Sequence, residues 1–451
     1  MPASTASQPD PLNLLEDLIR KAKAAGADAA DAVLFDSASV SLSQRLGKPE
    51  RLERSESGDL GLRVFVGRRQ AIVSSTDRTA AALDALVERA VAMARVVPED
   101  PFAGLADPDQ LSRSHPDLDI CDPSEPTTDT LIQQAREAEE AALAVEGVTN
   151  SEGADAGWSR STIAIAASNG FAGSYGVSRQ SLSVSVLAGT GTGMERDYDY
   201  DSKVYGSDLR SGADIGREAG ERAVRRLNPR KVKSCKVPVV FDPRVSRGLL
   251  GHLLGAISGP AIARGTSFLK DKMGQVIFPE AITIIDDPHV KRGLRSRPFD
   301  AEGVAVERRT IIEDGRLTTW LLDLRSARQL GLTTTGHASR GTSGPPSPSP
   351  SNVYMAAGKR SRADLLAEIK DGFYITDLMG MGVNGVTGDY SRGAGGFWIE
   401  NGRIAYPVNE LTIAGNLKDM FLNMEAADDL ELRFGMDAPT VRIDGMTVAG
   451  M

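Results

Sequence analysis

The sequence predicts an α+β fold, with layered helix-and-strand regions in the N-terminal half and a β-rich domain in the C-terminal half. Helical and alternating hydrophobic patterns succeed one another up to about residue 230, and strand patterns dominate after it. Glycine is frequent, at 46 of 451 residues, while aromatic residues make up only 5%. This balance is typical of turn-rich β structure beside alanine-rich helices. A hydrophobic content of 41% is sufficient for two or three cores.

The patterns divide the chain into regions. An amphipathic helix at 12–25, strand patterns at 32–46, a hairpin at 60–75 and a helix at 79–96 predict a first α+β domain. Helices at 128–145 and 214–227 flank further strands in a second α+β region. The predicted divisions are a disordered tail at 1–10, the N-terminal α+β domain at 11–97, a Pro- and Asp-rich linker at 98–127, a central α+β region at 128–230, and a C-terminal β-rich domain at 231–451.

The most informative stretch is a helix pattern that begins after a short β-prone run ending at Phe241. Asp242 is a good N-cap, and Pro243 suits the first helical position. Leucines occupy one side of the helix, and His252 lies on the other side among glycines. These glycines are Gly248, Gly251, Gly255 and Gly259. Each weakens a helix by about 1 kcal/mol relative to alanine, so the bare face predicts either a site or interface, or close packing of a backbone.

A second glycine-rich motif lies at 379–402, with the sequence MGMGVNGVTGDYSRGAGGFWIENG. Its glycines predict a hairpin with a bulge, since several positions favour positive φ or a close approach of the backbone. The alternative is a polar cluster formed by Asp389, Tyr390, Ser391 and Arg392. The loop at 341–352, GTSGPPSPSPSN, is predicted either as a flexible linker or as an ordered loop lining a cavity.

Composition excludes several functional classes. With 52 basic and 61 acidic residues the formal charge is −9, which argues against a nucleic-acid partner. No run approaches the roughly 18 apolar residues of a membrane span, and the N-terminal segment lacks the pattern of a signal peptide. Only Cys121 and Cys235 occur, far apart, which favours a reducing compartment and a cytoplasmic location. His289 and His337 are expected to be surface histidines in loops.

The residues alone reveal no catalytic apparatus. No Ser–His–Asp order and no Cys–His pair can be defended, and no two acidic residues share a distinctive context. We therefore predict no catalytic residue and no cofactor. A hydrolase that uses residues of unrecognised pattern stays open as an alternative.

Four segments together carry a resemblance to a known family. They are the helix at 241–259, the RGTSF segment at 264–268, the motif GVNGVTGDYSRGAGGFWIENG, and NELTIAGNLKDM at 409–420. In this order they resemble the TldD/PmbA family, on its PmbA (TldE) branch. The resemblance extends from the first helix to the closing VRIDGMTVAG, and it implies a TldD/PmbA-like fold.

The resemblance also identifies a departure. TldD chains carry HExxxH on the equivalent helix and a cysteine near the C-terminus, which together hold a metal. Here Leu253 follows His252, Ile257 is the fifth residue after it, and the region before the last strand has no cysteine. Zinc requires three or four converging ligands, and this helix offers one imidazole. The comparison therefore implies a chain without a metal site of its own.

The resemblance implies a non-catalytic subunit of a TldD/TldE-type metallopeptidase complex. Such a chain partners a zinc-bearing TldD chain and acts on unfolded or precursor peptides; alone, it is expected to form a homodimer. The alternative is a regulatory or binding homodimer, in line with the family's older label as a modulator of DNA gyrase. The loops at 341–352 and 384–396 are expected at a partner surface above about 1,000 Å². The candidate cavity or interface residues are His252, Gly255, Arg264, Asn384, Asp389, Tyr390, Ser391 and Arg392.

Overall fold

The computed structural model describes residues 10–450. The helices of this part of the chain are α1 (Pro11–Ala24), α2 (Ala80–Val96), α3 (Thr128–Leu143), α4 (Gly212–Arg225), α5 (Pro243–Ala256), α6 (Gly259–Ala263), α7 (Leu324–Leu330), α8 (Arg362–Ala367) and α9 (Leu417–Leu422). The strands are β1 (Ala29–Arg45), β2 (Lys48–Val66), β3 (Arg69–Ser75), β4 (Val148–Ala167), β5 (Ala172–Ala188), β6 (Glu195–Lys203), β7 (Cys235–Phe241), β8 (Ile284–Asp287), β9 (Arg309–Glu313), β10 (Arg316–Leu317), β11 (Ala338–Ser339), β12 (Ser347–Pro348), β13 (Asn352–Met355), β14 (Asp371–Val383), β15 (Asp389–Glu400), β16 (Arg403–Asn416), β17 (Met424–Ala426), β18 (Met436–Asp437) and β19 (Val441–Ala449).

The N-terminal half is one antiparallel sheet covered by helices. Its strand order is β3-β2-β1-β4-β5-β6, so strands from both predicted α+β regions share it. Helices α1 and α2 cover β1 to β3, and α3 and α4 cover β4 to β6, each pair enclosing its own apolar core. Strand β2 is longer than its hydrophobic pattern predicts, because its charged first half pairs with β1, with one register shift between Ser43 and Gln44, while its side chains face solvent.

The segment at 98–127 crosses from one region to the next along the protein surface and is tied down at several points. Leu118 and Ile120 are buried. The Ile120 carbonyl accepts a hydrogen bond from the Ser178 amide at 3.0 Å, and the Leu118 carbonyl accepts one from the Arg292 amide at 2.9 Å. The segment thus connects β5 with the C-terminal half. The predicted domain divisions stay predictions. The first sheet contains strands from both sides of the segment at 98–127.

The C-terminal half contains a closed barrel and a second sheet. Strands β16, β15, β14, β7 and β19 follow one another, and a further pairing of β16 with β19 closes the ring. The second sheet has the order β10-β9-β8-β13-β18. Helix α5 follows β7 and packs its leucines into the large core between barrel and sheet. The α+β prediction with a β-rich C-terminal region is confirmed.

Two loop predictions are tested by side-chain contacts. The loop at 341–352 is ordered and packs on the first sheet, where the Thr342 backbone lies against Gly61. His337, predicted at the surface, is 4% exposed. Its Nε2 lies 2.9 Å from Asp286 Oδ2 and its Nδ1 lies 2.8 Å from Thr335 Oγ1. The surface prediction for His337 is wrong, because two polar partners satisfy its ring inside the core.

Within residues 10–450, no helix combines the length and the apolar character needed to cross a lipid bilayer.

Candidate functional site

Helix α5 begins as its sequence predicts. The Asp242 side chain accepts a hydrogen bond from the Arg244 amide at 2.9 Å, and Pro243 is the first helical residue. The other carboxylate oxygen of Asp242 accepts a hydrogen bond from the Tyr374 hydroxyl of β14 at 2.7 Å. The cap therefore fixes both the start of the helix and its position against the barrel.

The glycine face of α5 is open. A Cβ atom placed on Gly248, Gly251 or Gly255 would meet no heavy atom within 4 Å. Gly259, by contrast, begins α6 and packs against the Ser326 side chain. Of the two alternatives for this face, close backbone packing is thus wrong for the three glycines of α5, and a site or interface remains.

A cavity of about 270 Å³ lies over the open face. Helix α5 forms its floor, and the β14–β15 hairpin and the segment after α6 form its walls. The lining residues are Gly251, His252, Gly255, Ala256, Thr266, Phe268, Gly380, Met381, Val383, Gly385, Arg392 and Leu417. Most of this surface is apolar, and His252 and Arg392 supply the polar chemistry.

His252 is half-buried, and the edge of its ring meets Tyr390 with 5.7 Å between ring centroids. Burial lowers the pKa of His252, and the positive charge of Arg392 lowers it further. Burial raises the pKa of Tyr390 to about 12, although Arg392 acts in the opposite direction. At neutral pH the cavity thus presents a neutral imidazole and one guanidinium, and a neutral phenol packs against the imidazole from beneath.

These groups do not fit a metal ion. Among residues 10–450, no three His, Cys, Asp or Glu side chains lie close enough together to hold one. His252 faces a tyrosine and an arginine instead of a second ligand, and the Arg392 charge opposes a cation beside the imidazole.

The structure brings four predicted residues together. His252, Gly255 and Arg392 line the cavity, and Tyr390 packs against His252 beneath it. Ser391 alternates with Tyr390 on β15 and is exposed. Arg264 follows α6, is exposed, and does not line this cavity.

Asn384 and Asp389 shape the tip of the hairpin. The Asn384 Oδ1 atom accepts hydrogen bonds from the Val386 amide at 2.9 Å and the Thr387 amide at 3.2 Å. Asp389 accepts hydrogen bonds from the Thr387 hydroxyl at 2.6 Å and from Asn416 Nδ2 at 3.1 Å. The motif at 379–402 is thus an irregular hairpin, as predicted, whose register shifts between Met379 and Gly382.

The hairpin also presents an apolar tip that sequence reasoning did not single out. Met381 is 94% exposed, Val386 55% and Met379 50%. The signal available in the sequence was the presence of large apolar residues inside a glycine-rich motif. The tip borders the cavity, since Met381 is also one of its lining residues.

Sequence reasoning also missed a group of arginines beside the cavity. A groove of about 570 Å³ adjoins it along α5 and shares Gly251 and Arg392 with it. Arg179, Arg247 and Arg295 line this groove as well. No local pattern could have predicted the group, because its members come from β5, α5, β15 and a loop.

Comparisons with known proteins agree along the whole chain. Profiles of the PmbA/TldA metallopeptidase family match as domain 1 at residues 30–94, the central domain at 121–227 and the C-terminal domain at 234–450. The metalloprotease PmbA of Escherichia coli O157:H7 is 41% identical over 425 residues, which are 94% of this chain and 92% of that protein. A PmbA homologue of Haemophilus influenzae is 39% identical and covers 96% of this chain and 94% of its own length.

Solved structures give the same result. A Bacteroides thetaiotaomicron protein described as a proposed modulator of DNA gyrase superposes with a TM-score of 0.90 at 30% identity, covering 97% of this chain and 98% of that one. TldE from Thermococcus kodakarensis, at 22% identity, shares the fold with a TM-score of 0.87, covering 97% of this chain and 100% of its own. The profile matches and the full-length relatives show that this chain belongs to the PmbA/TldD metallopeptidase family.

Proposed function

We propose that this chain is the non-catalytic subunit of a TldD/TldE-type metallopeptidase complex. It partners a zinc-bearing TldD-type chain and helps to hold unfolded or precursor peptides while that chain cleaves them. The observation that carries the proposal is the cavity on α5, where His252 stands beside Arg392 instead of a second metal ligand. An apolar cavity with few polar groups suits binding of a peptide side chain.

The apolar hairpin tip is the proposed contact with the partner. Exposed Met381, Met379 and Val386 form an apolar surface of the kind that marks protein interfaces. Because the tip borders the cavity on α5, a partner bound at the tip would place its zinc site next to that cavity. In isolation the same surface is expected to pair with a second copy about a two-fold axis.

Assembly is tested by light scattering with and without a TldD-type chain. We expect a homodimer that exchanges to a heterodimer on mixing. Met381→Glu places a charge at the tip and should prevent both assemblies. Val96→Glu is the matched control, since Val96 is 82% exposed at the end of α2 and should assemble normally. A chain that stays monomeric alone and unchanged in mass with the partner would contradict the proposal.

A peptidase assay separates the alternatives. We expect cleavage of an unstructured peptide only when both chains are present, and its loss when the partner's metal is removed. Cleavage by this chain alone would favour the hydrolase alternative. A homodimer that does not bind a TldD-type chain but changes the activity of DNA gyrase would favour the regulatory alternative, which the description of the Bacteroides relative suggests. The cytoplasmic location stays a prediction.

A further inference from the structure

The groove beside the cavity is strongly basic. Its floor is the bare glycine face of α5 at Gly248 and Gly251. Five guanidinium groups line it, and one carboxylate, Asp377, does so as well. The arginines are Arg179, Arg244, Arg247, Arg295 and Arg392.

Two of the charged groups in the groove are already paired. Arg244 lies 2.8 Å from Asp197, and Asp377 lies 3.6 Å from Arg226. The other four arginines form no salt bridge. Among residues 10–450, no carboxylate oxygen lies within 4.0 Å of their guanidinium nitrogens. The groove therefore carries an unbalanced positive charge, although the chain as a whole carries −9.

Three of the four unpaired arginines are held by neutral partners. Arg247 donates a hydrogen bond to the Tyr200 hydroxyl at 2.7 Å, and its guanidinium carbon lies 5.0 Å from the centre of the Phe434 ring. Arg179 donates one from Nε to Ser202 Oγ at 2.6 Å. Arg392 donates a hydrogen bond from Nη2 to the Leu378 carbonyl oxygen at 3.4 Å, while its buried Nε has no hydrogen-bond partner in the described chain. These contacts position the guanidinium groups of Arg179, Arg247 and Arg392 and leave their charges free for a ligand.

Holding like charges together in a half-enclosed groove costs free energy. Burial lowers the pKa of Arg295, and the charges of Arg297 and Arg179 lower it further, against an opposing effect of Asp286. The acidic neighbour of Arg247, Asp437, already accepts hydrogen bonds from the backbone amides of residues 433–435. A bound anion would relieve this repulsion, and a planar carboxylate suits the arginine fork.

The apolar cavity next to the groove narrows the choice of anion. Phe268, Met381, Val383 and Leu417 line it, and it joins the groove at Gly251 and Arg392. A ligand that fills both therefore combines an apolar side chain with an anionic group a few ångströms away. The C-terminal residue of a peptide has this combination, and glycines in the floor allow its backbone to approach α5.

We propose that the groove binds the C-terminal carboxylate of a peptide, with an apolar terminal side chain in the adjoining cavity. This inference rests on the proposed function. It specifies that the C-terminal end of the peptide is bound, and it names the residues that bind it. Arg247 and Arg392 bind the carboxylate, and Gly251 makes the space for it.

Fluorescence polarisation on the full chain tests the proposal without the partner. The probe is a fluorescein-labelled pentapeptide ending in leucine, with a free carboxylate or with a C-terminal amide. We expect the free acid to bind about tenfold more tightly, because hydrogen bonds to a charged group are lost in the amide. Arg247→Gln and Arg392→Gln should each reduce affinity for the free acid to that for the amide.

Two variants make the result specific. Gly251→Leu fills the groove without removing a charge and, with nothing within 4 Å of its Cβ, should fold and fail to bind. Arg89→Gln, an exposed arginine on α2, should bind as the wild type does. Equal affinity for acid and amide, or groove variants that behave like Arg89→Gln, would overturn the proposal.

A third measurement tests whether the groove prefers inorganic phosphate to the carboxylate of a peptide. Inorganic phosphate that binds more tightly than the free-acid peptide would also overturn the proposal, since the site would then belong to a phosphate ligand. Molecular mass with and without a TldD-type chain is measured on the same samples. A failure of carboxylate binding is thereby distinguished from a failure of complex formation.

Discussion

Two helices of this protein each carry three glycines on one face, and they use them in opposite ways. Helix α4 has Gly212, Gly216 and Gly220, and α5 has Gly248, Gly251 and Gly255. In α4 all three glycines face α3 or the residues just after it. At Gly212 a Cβ would lie 2.8 Å from the Gln134 carbonyl oxygen, and at Gly216 it would overlap the Ala138 carbonyl oxygen. At Gly220 it would lie 2.7 Å from the Val145 side chain. In α5 a Cβ would meet nothing at any of the three positions.

The difference lies in what offsets the cost of the glycines. Both stripes weaken their helix by about 1 kcal/mol per residue. In α4 the cost is offset within the chain, because the small residues let α3 and α4 approach closely over a shared alanine-rich core. In α5 nothing in the described chain lies close enough to offset it. The open face of α5 is the one over which we propose that a peptide binds.

The largest effect is expected where the stripe is packed. Gly216→Leu should lower the free energy of unfolding by about 3 kcal/mol, because the new side chain forces α4 away from the α3 backbone. Urea unfolding followed by circular dichroism measures the change. An unchanged midpoint would show that α3 and α4 are not in close contact and would remove the contrast with α5.

A smaller and opposite effect is expected on the open stripe. Gly255→Leu should leave the free energy of unfolding unchanged or raise it by up to about 1 kcal/mol, since leucine is the better helix former. Its side chain would project into the 270 Å³ cavity, so affinity for the leucine-ending peptide should fall about tenfold. The same urea series serves as the measurement, with Gly216→Leu as the matched comparison. A destabilised Gly255→Leu protein would mean that this face is covered.

The contrast also shows how far the sequence could lead. Asp242 and Pro243 predicted the start of α5 correctly, because capping is decided by neighbouring residues. The glycine pattern could not reveal whether its face was covered, since that depends on α3 in one case and on open space in the other. The family resemblance identified the fold through long motifs whose order is visible in the chain.

Contacts made by distant residues were beyond local reasoning. His337 was expected at the surface because it lies in a predicted loop, but Asp286, 51 residues away, holds it in the core. The arginines of the groove come from separate elements, and only the packing of β5, α5 and β15 brings them together. Of the groove and cavity residues, sequence reasoning singled out the glycines of α5, His252 and Arg392, but it missed Arg247 on the same helix and Met381 in the same hairpin motif.

The smallest effect is a pH dependence confined to the open face. Burial, with the charge of Arg392, lowers the pKa of His252 below its ordinary value of 6.5. The folded protein thus binds this proton less readily than the unfolded chain does. Well above pH 6.5 both states are neutral at His252, and the residue adds no pH dependence. As the pH falls below 6.5, the unfolded chain gains the proton first, and the free energy of unfolding declines.

Removing the imidazole should therefore remove part of the acid sensitivity. His252→Asn is expected to lose less stability than the wild type between pH 7.5 and pH 5, while His289→Asn, an exposed histidine in a loop, should follow the wild type. Urea midpoints at the two pH values measure the difference, and NMR titration of the His252 ring checks its cause. A His252 that titrates at or above its ordinary pKa would mean that the cavity is wetter, or Arg392 more distant, than described. Because α4 contains no histidine, this loss of stability in acid distinguishes the open stripe from the packed one.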